Sequence, residues 1–277
     1  MKRFFIIFLF VFCFSPFVLY AKTTTQPIKI LIAPGHNNEI WGAQYGNIKE
    51  ADMNLFLGTQ IYNLLKKDKR FKVYITRNSK GYTKEFSNYF SKNRAEIISF
   101  KNNAKKDTQI KINNGTLVDK NGVAHVGVNE ETAIELYGIN KWADETKIDA
   151  IINVHFNDYP RPDKWTIGVY KGFVVYLPDA QMVNAAKSSK LAKNIFSQLS
   201  KKYITSTYVK EKGGFIPDQK LIALGASGTL NKNVSSVLVE YGYIYQKIFR
   251  NSKTRHQAYK DMALLTTKGI SNCFFKK

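Results

Sequence analysis

The sequence predicts an α/β domain built on a twisted, mostly parallel sheet with helices on both faces. Three observations carry that prediction: short apolar runs bounded by Gly, Pro and Asn read as buried strands, helical periodicity follows them, and the two patterns alternate along the chain. The first unit is explicit. IKILIAP (28–34) is a strand, EADMNLFLGTQIYNLLKK (50–67) places apolar residues at 53, 57, 61, 64 and 65 as a helix with one buried face, and FKVYITR (71–77) is the next strand. A strand, a helix and a second strand in that order mark a parallel pair with the helix packed across it.

The remaining elements follow in order. A helical stretch spans about 84–100. The segment DTQIKINNGTLVDKNGVAHVG then offers two Asn-Gly turns and short alternating runs, which predicts a basic, hairpin-like insertion at about 97–130 carrying Lys105, Lys106, Lys111 and His125. Its expected use is contact with substrate or cell wall, or a passive surface role. NEETAIELYGINKWADETK (129–147) returns to helix with Asn129 as N-cap. IDAIINVH (148–155) is a buried strand, FVVYLP (173–178) another, SSKLAKNIFSQLSKKY (188–203) a helix, SSVLVEYG (235–242) a strand, and a closing helix runs near 252–270. There are no internal repeats.

The first residues, MKRFFIIFLFVFCFSPFVLYA, combine a basic start, a long apolar stretch and a small residue at Ala21, which reads as a signal peptide over 1–21 and implies export. The bulky residues before Cys13 do not form a lipoprotein processing site. About 250 residues remain, enough for one domain with a substantial core. Of the two cysteines only Cys273 then survives, so an internal disulfide is excluded. With 42 Lys and Arg against 21 Asp and Glu the formal charge is +21, which draws an exported protein to anionic wall polymers or a membrane surface. Export and the lack of a reading motif argue against nucleic acid.

Ligands of open α/β sheets gather beyond the carboxyl ends of parallel strands. His36, His155 and Glu240 each stand at that end of a predicted apolar strand, and Glu50 opens the helix that follows the first one. Singly, His36 serves as a turn residue, Glu50 as a helix-start acid and His155 as a buried histidine. Glu240 is harder to explain, because a carboxylate at the end of SSVLV is costly to bury without a partner or a cation. Two histidines and one carboxylate with an open fourth position form a catalytic zinc site, and a second carboxylate beside them can carry a proton. His125 and His256 lie at no strand end and read as surface residues.

Three stretches carry a resemblance. IAPGHNNEIWGAQYGNIKEADMNL, INVHFND and SVLVEYGYI resemble, in order and spacing, the motifs of the type 3 family of zinc-dependent N-acetylmuramoyl-L-alanine amidases, which hydrolyse peptidoglycan. The resemblance runs from about 28 to 270. It implies a mixed central sheet, one zinc ion held by His36, Glu50 and His155, and Glu240 as catalytic carboxylate. It also implies that Asn157, two residues past His155, contacts substrate. The chain departs from the family pattern at Asn37, Asn38 and Ile40, and at Asn153, where a serine is common.

The implied reaction cuts the amide between N-acetylmuramic acid and L-alanine, with the protein acting as a monomer in the periplasm or extracellular wall under an activator the sequence does not identify. A zinc peptidase on stem peptides would use the same four groups. A non-catalytic wall-binding protein would keep the basic surface and have no use for Glu240.

Overall fold

The computed structural model describes residues 26–120 and 127–276; the expected signal peptide and His125 lie outside them. Strand β1 (Ile28–Pro34) leads through a small hairpin, β2 (Gln44–Tyr45) and β3 (Ile48–Lys49), into α1 (Glu50–Lys66). Strand β4 (Phe71–Ile75) is followed by the hairpin of β5 (Arg77–Asn78) and β6 (Gly81–Tyr82), then by α2 (Lys84–Lys92) and α3 (Arg94–Asn113). Next come α4 (Glu130–Thr146), β7 (Ala150–Asn157), β8 (Val174–Pro178), α5 (Ala185–Leu199) and β9 (Phe215–Asp218). Strand β10 (Ser235–Tyr243), α6 (Lys247–Arg250) and α7 (Ser252–Phe275) complete the chain.

Six strands form one mixed sheet in the order β4-β1-β7-β10-β8-β9. Its first four strands are mutually parallel, β8 runs antiparallel to β10, and β9 is parallel to β8. Side chains alternate between two cores. Ile30, Ile32, Ile152, Val154, Val237 and Val239 point toward α1, α5 and α7, whereas Leu31, Ala33 and Ile151 meet Phe86, Ile139, Trp142 and Ala143 of α2 and α4. Burial on both faces is why the central strands read as unbroken apolar runs. The sole cysteine among the described residues, Cys273, is free and buried. No helix among them is long and apolar enough to cross a membrane.

Up to Asn113 the predicted basic hairpin is a helix instead, while 121–126, with the second Asn-Gly pair, lie outside the described residues. Chain positions 94–113 continue as α3, which packs on α4 through Ile97, with Phe100 and Ile98 alongside. Lys101, only 5% exposed, pairs with Glu130. The first Asn-Gly pair ends this helix: Asn114 is its C-cap and Gly115 takes φ +74°. Residues 118–120 then run along the molecule, where Val118 and Lys120 bond to Gln181, Gln219 and Asp179 beyond the carboxyl end of β8. Because β8 opposes β10, that contact lies at the end of the sheet away from Glu240.

Candidate active site

The loop after β1 is fixed before it presents its histidine. Gly35 donates its N–H to Val154 O at 2.9 Å, and the buried Arg77 guanidinium donates to Pro34 O, Gly35 O and Ala51 O, clamping the end of β1 to the start of α1. His36 then takes a left-handed φ of +61°. Asn37 Oδ1 accepts the N–H groups of Glu39 and Ile40 at 2.9 and 2.7 Å, and Asn38 Nδ2 donates to Ser79 O. The two asparagines that depart from the family pattern therefore build the turn that carries His36.

Glu50, the first residue of α1, is 4% exposed and collects both histidines. His36 Nε2 lies 3.1 Å from its Oε2 and His155 Nδ1 lies 3.0 Å from its Oε1. Further donors are Ala43 N to Oε2, and Asn54 Nδ2 and Phe156 N to Oε1. Burial by itself would raise the Glu50 carboxyl, but the hydrogen bonds to His155 and His36 outweigh it and hold the group well below the usual carboxylate range. Burial pushes His155 down, toward the neutral imidazole a metal requires.

The donor set fits a zinc ion. One ligand atom from each of His36, Glu50 and His155 can be chosen so that all lie within 4.8 Å of one another. Zinc bonds of about 2.0–2.2 Å place tetrahedral ligand atoms roughly 3.5 Å apart. The backbone that closes on these residues has room for no side chain of its own: a Cβ on Gly35 would stand 2.1 Å from the His155 ring, and one on Gly42, already at φ +69°, would stand 2.4 Å from Glu50 Oε2.

Glu240 stands opposite His155 in the β7–β10 register. Its Oε2 is buried without a hydrogen-bond partner among the described residues. Burial, then the charges of Glu50 and Glu211, push its carboxyl well above the ordinary range. Below it in the same register, Asn153 donates to Ala223 O, Ser236 Oγ and Val237 O, so its amide serves the sheet and the loop before β10.

Glu211 was not singled out from the sequence, because YVKEKGG reads as a surface loop. Only 2% exposed, it accepts from Asn157 Nδ2 at 2.8 Å and the Tyr176 hydroxyl at 2.7 Å on Oε1. On Oε2 it accepts from the hydroxyls of Ser206 at 2.5 Å and Tyr243 at 2.9 Å. No local pattern could have found it, since its donors come from distant segments. Asn157 is thereby anchored beside the site, its Oδ1 also accepting from Asp158 N. His256 is exposed on α7, away from the cluster.

With this geometry in place, the comparison with known proteins is decisive at the level of family. The family model described as N-acetylmuramoyl-L-alanine amidase matches residues 30–272. The chain belongs to the N-acetylmuramoyl-L-alanine amidase family. Membership brings the activity: a hydrolase of the amide that joins peptidoglycan glycan to its peptide. No curated protein matches the sequence significantly.

Solved amidase structures share the fold at low identity. The N-acetylmuramoyl-L-alanine amidase of Clostridium difficile 630 is 16% identical, with a TM-score of 0.54 over 91% of this chain and 100% of that one. The apo form of Ami1 from Mycobacterium abscessus is 15% identical, with a TM-score of 0.56 over 90% and 99%. The CwlD amidase of Clostridioides difficile, solved in complex with the GerS lipoprotein, is 15% identical, with a TM-score of 0.55 over 89% and 98%. The single α/β domain with a mixed sheet agrees with these amidase folds.

Proposed function

We propose that this amidase is zinc-dependent, that His36, Glu50 and His155 hold one ion, and that Glu240 moves the proton. The observation that carries the reading is the convergence of three candidate ligand side chains from separate segments, with a carboxyl beside them whose buried Oε2 has no hydrogen-bond partner among the described residues. Bound there, zinc would supply an acidified water at neutral pH and polarise the scissile carbonyl. Glu240 accepts a proton as the amide is attacked and delivers it to the leaving nitrogen of L-alanine, which is otherwise a very poor leaving group. A carboxyl oxygen with no other hydrogen bond among the described residues is suited to both transfers. Asn157, held through its Nδ2, keeps an Oδ1 lone pair for a substrate N–H.

The reading includes export of the mature chain to the periplasm or cell wall, in keeping with the basic charge and apolar first residues. It also includes a regulatory protein partner, since one similar fold was solved with a lipoprotein bound.

Elemental analysis and product analysis test the proposal together. The wild type is expected to carry one zinc per chain, and His36→Ala or His155→Ala to lose most of it, because two remaining ligands make a poor site. Mass spectrometry of digested peptidoglycan should find peptides with a free N-terminal L-alanine and glycan strands without peptides. Full zinc occupancy in both variants would sink the ligand assignment, and cleavage within the stem peptide would favour the peptidase.

A further inference from the structure

We infer that the loop between β7 and β8, together with the adjoining turn at Val209–Glu211, is a docking surface for an anionic lipid bilayer. The inference is independent of the zinc reading. Over residues 165–170 exposed and half-buried side chains alternate. Trp165, Ile167 and Val169 are 60%, 53% and 80% exposed. Between them, Thr166 Oγ1 donates to Asp163, Gly168 sits against the Tyr245 ring where a Cβ would be 2.3 Å away, and Tyr170 packs between the rings of Tyr159 and Tyr208.

Fastening of the loop is extensive. The Arg161 guanidinium donates to Gln44 O, Asp158 and Thr166 O, and the Trp165 ring lies so close over Gly46 that a Cβ there would stand 2.4 Å from it. The segment that carries the three exposed side chains is therefore fixed by a built framework. One further exposed apolar residue, Val209 at 73%, belongs to a turn tied to this loop, because Lys171 and Thr207 exchange backbone and side-chain hydrogen bonds and Tyr208 packs on Tyr170.

What covers this surface is indicated by its charge. Lys164, Lys171, Lys210 and Lys212 are all exposed around the apolar residues, in a chain whose formal charge is +21. Lysines ringing a tryptophan and branched aliphatics match the chemistry of a bilayer interface, where apolar groups enter the headgroup boundary and ammonium groups meet lipid phosphate. An anionic wall polymer would satisfy the lysines but leave the aliphatic side chains in water. Docking here would hold the end of β7, and so the site, beside the membrane.

The test uses the chain from residue 22, which retains every described element, all within Ile28–Phe275. Co-sedimentation is measured with phosphatidylcholine vesicles and with vesicles enriched in phosphatidylglycerol. Binding to the anionic vesicles is expected, with a loss of about tenfold or more in the combined Trp165→Ser, Ile167→Ser, Val169→Ser variant. Replacing Lys171, Lys210 and Lys212 by Gln should cost at least as much, at about five-fold per lysine. Replacing Lys187, Lys190 and Lys232, toward the opposite end of the sheet, by Gln should change little.

A Trp41→Phe protein provides a readout that needs no loop variant: Trp165 emission should shift to the blue on anionic vesicles, the remaining Trp142 being buried. His36→Ala should bind vesicles like wild type, which separates this result from any failure of the zinc reading. Equal losses from both lysine sets would show diffuse charge attraction and overturn the proposal. So would unmoved Trp165 emission, or an apolar variant that loses binding to purified peptidoglycan while keeping vesicle affinity.

Discussion

Two carboxylates stand near one another at the end of the sheet, Glu211 buried and Glu240 half-buried, and they are treated in opposite ways. Glu211 has both oxygens filled by donors from Asn157, Tyr176, Ser206 and Tyr243. Glu240 has an oxygen sealed from solvent with no partner among the described residues. A buried acceptor normally finds a donor, and leaving one without costs about 1–3 kcal/mol. The difference separates a carboxylate that ties segments together from one kept available for a proton.

Glu240→Gln should break the site at its most sensitive point. The substitution keeps size and removes the proton acceptor, so turnover should fall by about a hundredfold or more, with zinc content near normal. Stability should move the other way. The Glu240 carboxyl is raised in the folded protein, so its contribution is fully present below the ordinary carboxylate range near 4.5 and is lost as pH rises above it. In chelator-treated protein, thermal melts of the wild type should weaken from that range upward, and Glu240→Gln should flatten the decline. Wild-type turnover by the Gln variant would assign Glu240 to structure.

Glu211→Ala is expected to act mainly on the fold. It removes the acceptor shared by Asn157, Tyr176, Ser206 and Tyr243, although Ser206 and Tyr243 stay 3.2 Å apart and can bond each other; at about 1–3 kcal/mol for each buried group left unsatisfied, a loss of about 3 kcal/mol should appear in denaturant unfolding. Catalysis by the fraction that remains folded should fall less than in Glu240→Gln. The opposite ranking, intact stability with abolished turnover, would mean that the two carboxylates had been assigned the wrong way round.

The two regions were also unequally legible. His36, His155 and Glu240 announce themselves because each interrupts the end of an apolar run, and the parallel register of β1, β7 and β10 brings those ends together. Glu50 needed the family resemblance to stand out from an ordinary helix start. Glu211 lies in a polar loop and gains its meaning from Tyr176, Ser206 and Tyr243, contacts that no local pattern encodes. The insertion was misread for a related reason. QIKIN alternates like a strand and Asn-Gly suggests a hairpin, but Ile110 is 50% exposed and no second strand pairs with it among the described residues. Packing of Ile97 and Phe100 against the α4 side carries the helix onward, and Asn-Gly closes it. The short strand β9 was missed, and the antiparallel direction of β8 depends on tertiary packing that periodicity does not report.

Asn157 belongs to both regions, two residues beyond His155 and bonded to Glu211, so it offers the finest test of the contrast. Asn157→Ala removes one donor of four from Glu211 while Tyr176, Ser206 and Tyr243 remain. A hydrogen bond to a charged group contributes about 1.5–3 kcal/mol, and the remaining donors should keep the loss at the low end. If the Oδ1 lone pair also meets substrate, KM should rise several-fold, with zinc content unchanged and a smaller fall in kcat. Asn157→Asp sharpens the reading: it keeps an acceptor toward substrate but sets a second carboxylate against Glu211, so stability should fall further than in the Ala variant. Reduced stability with unchanged KM in Asn157→Ala would confine Asn157 to the Glu211 network and leave Glu240 as the working side chain beside the three metal-ligand candidates.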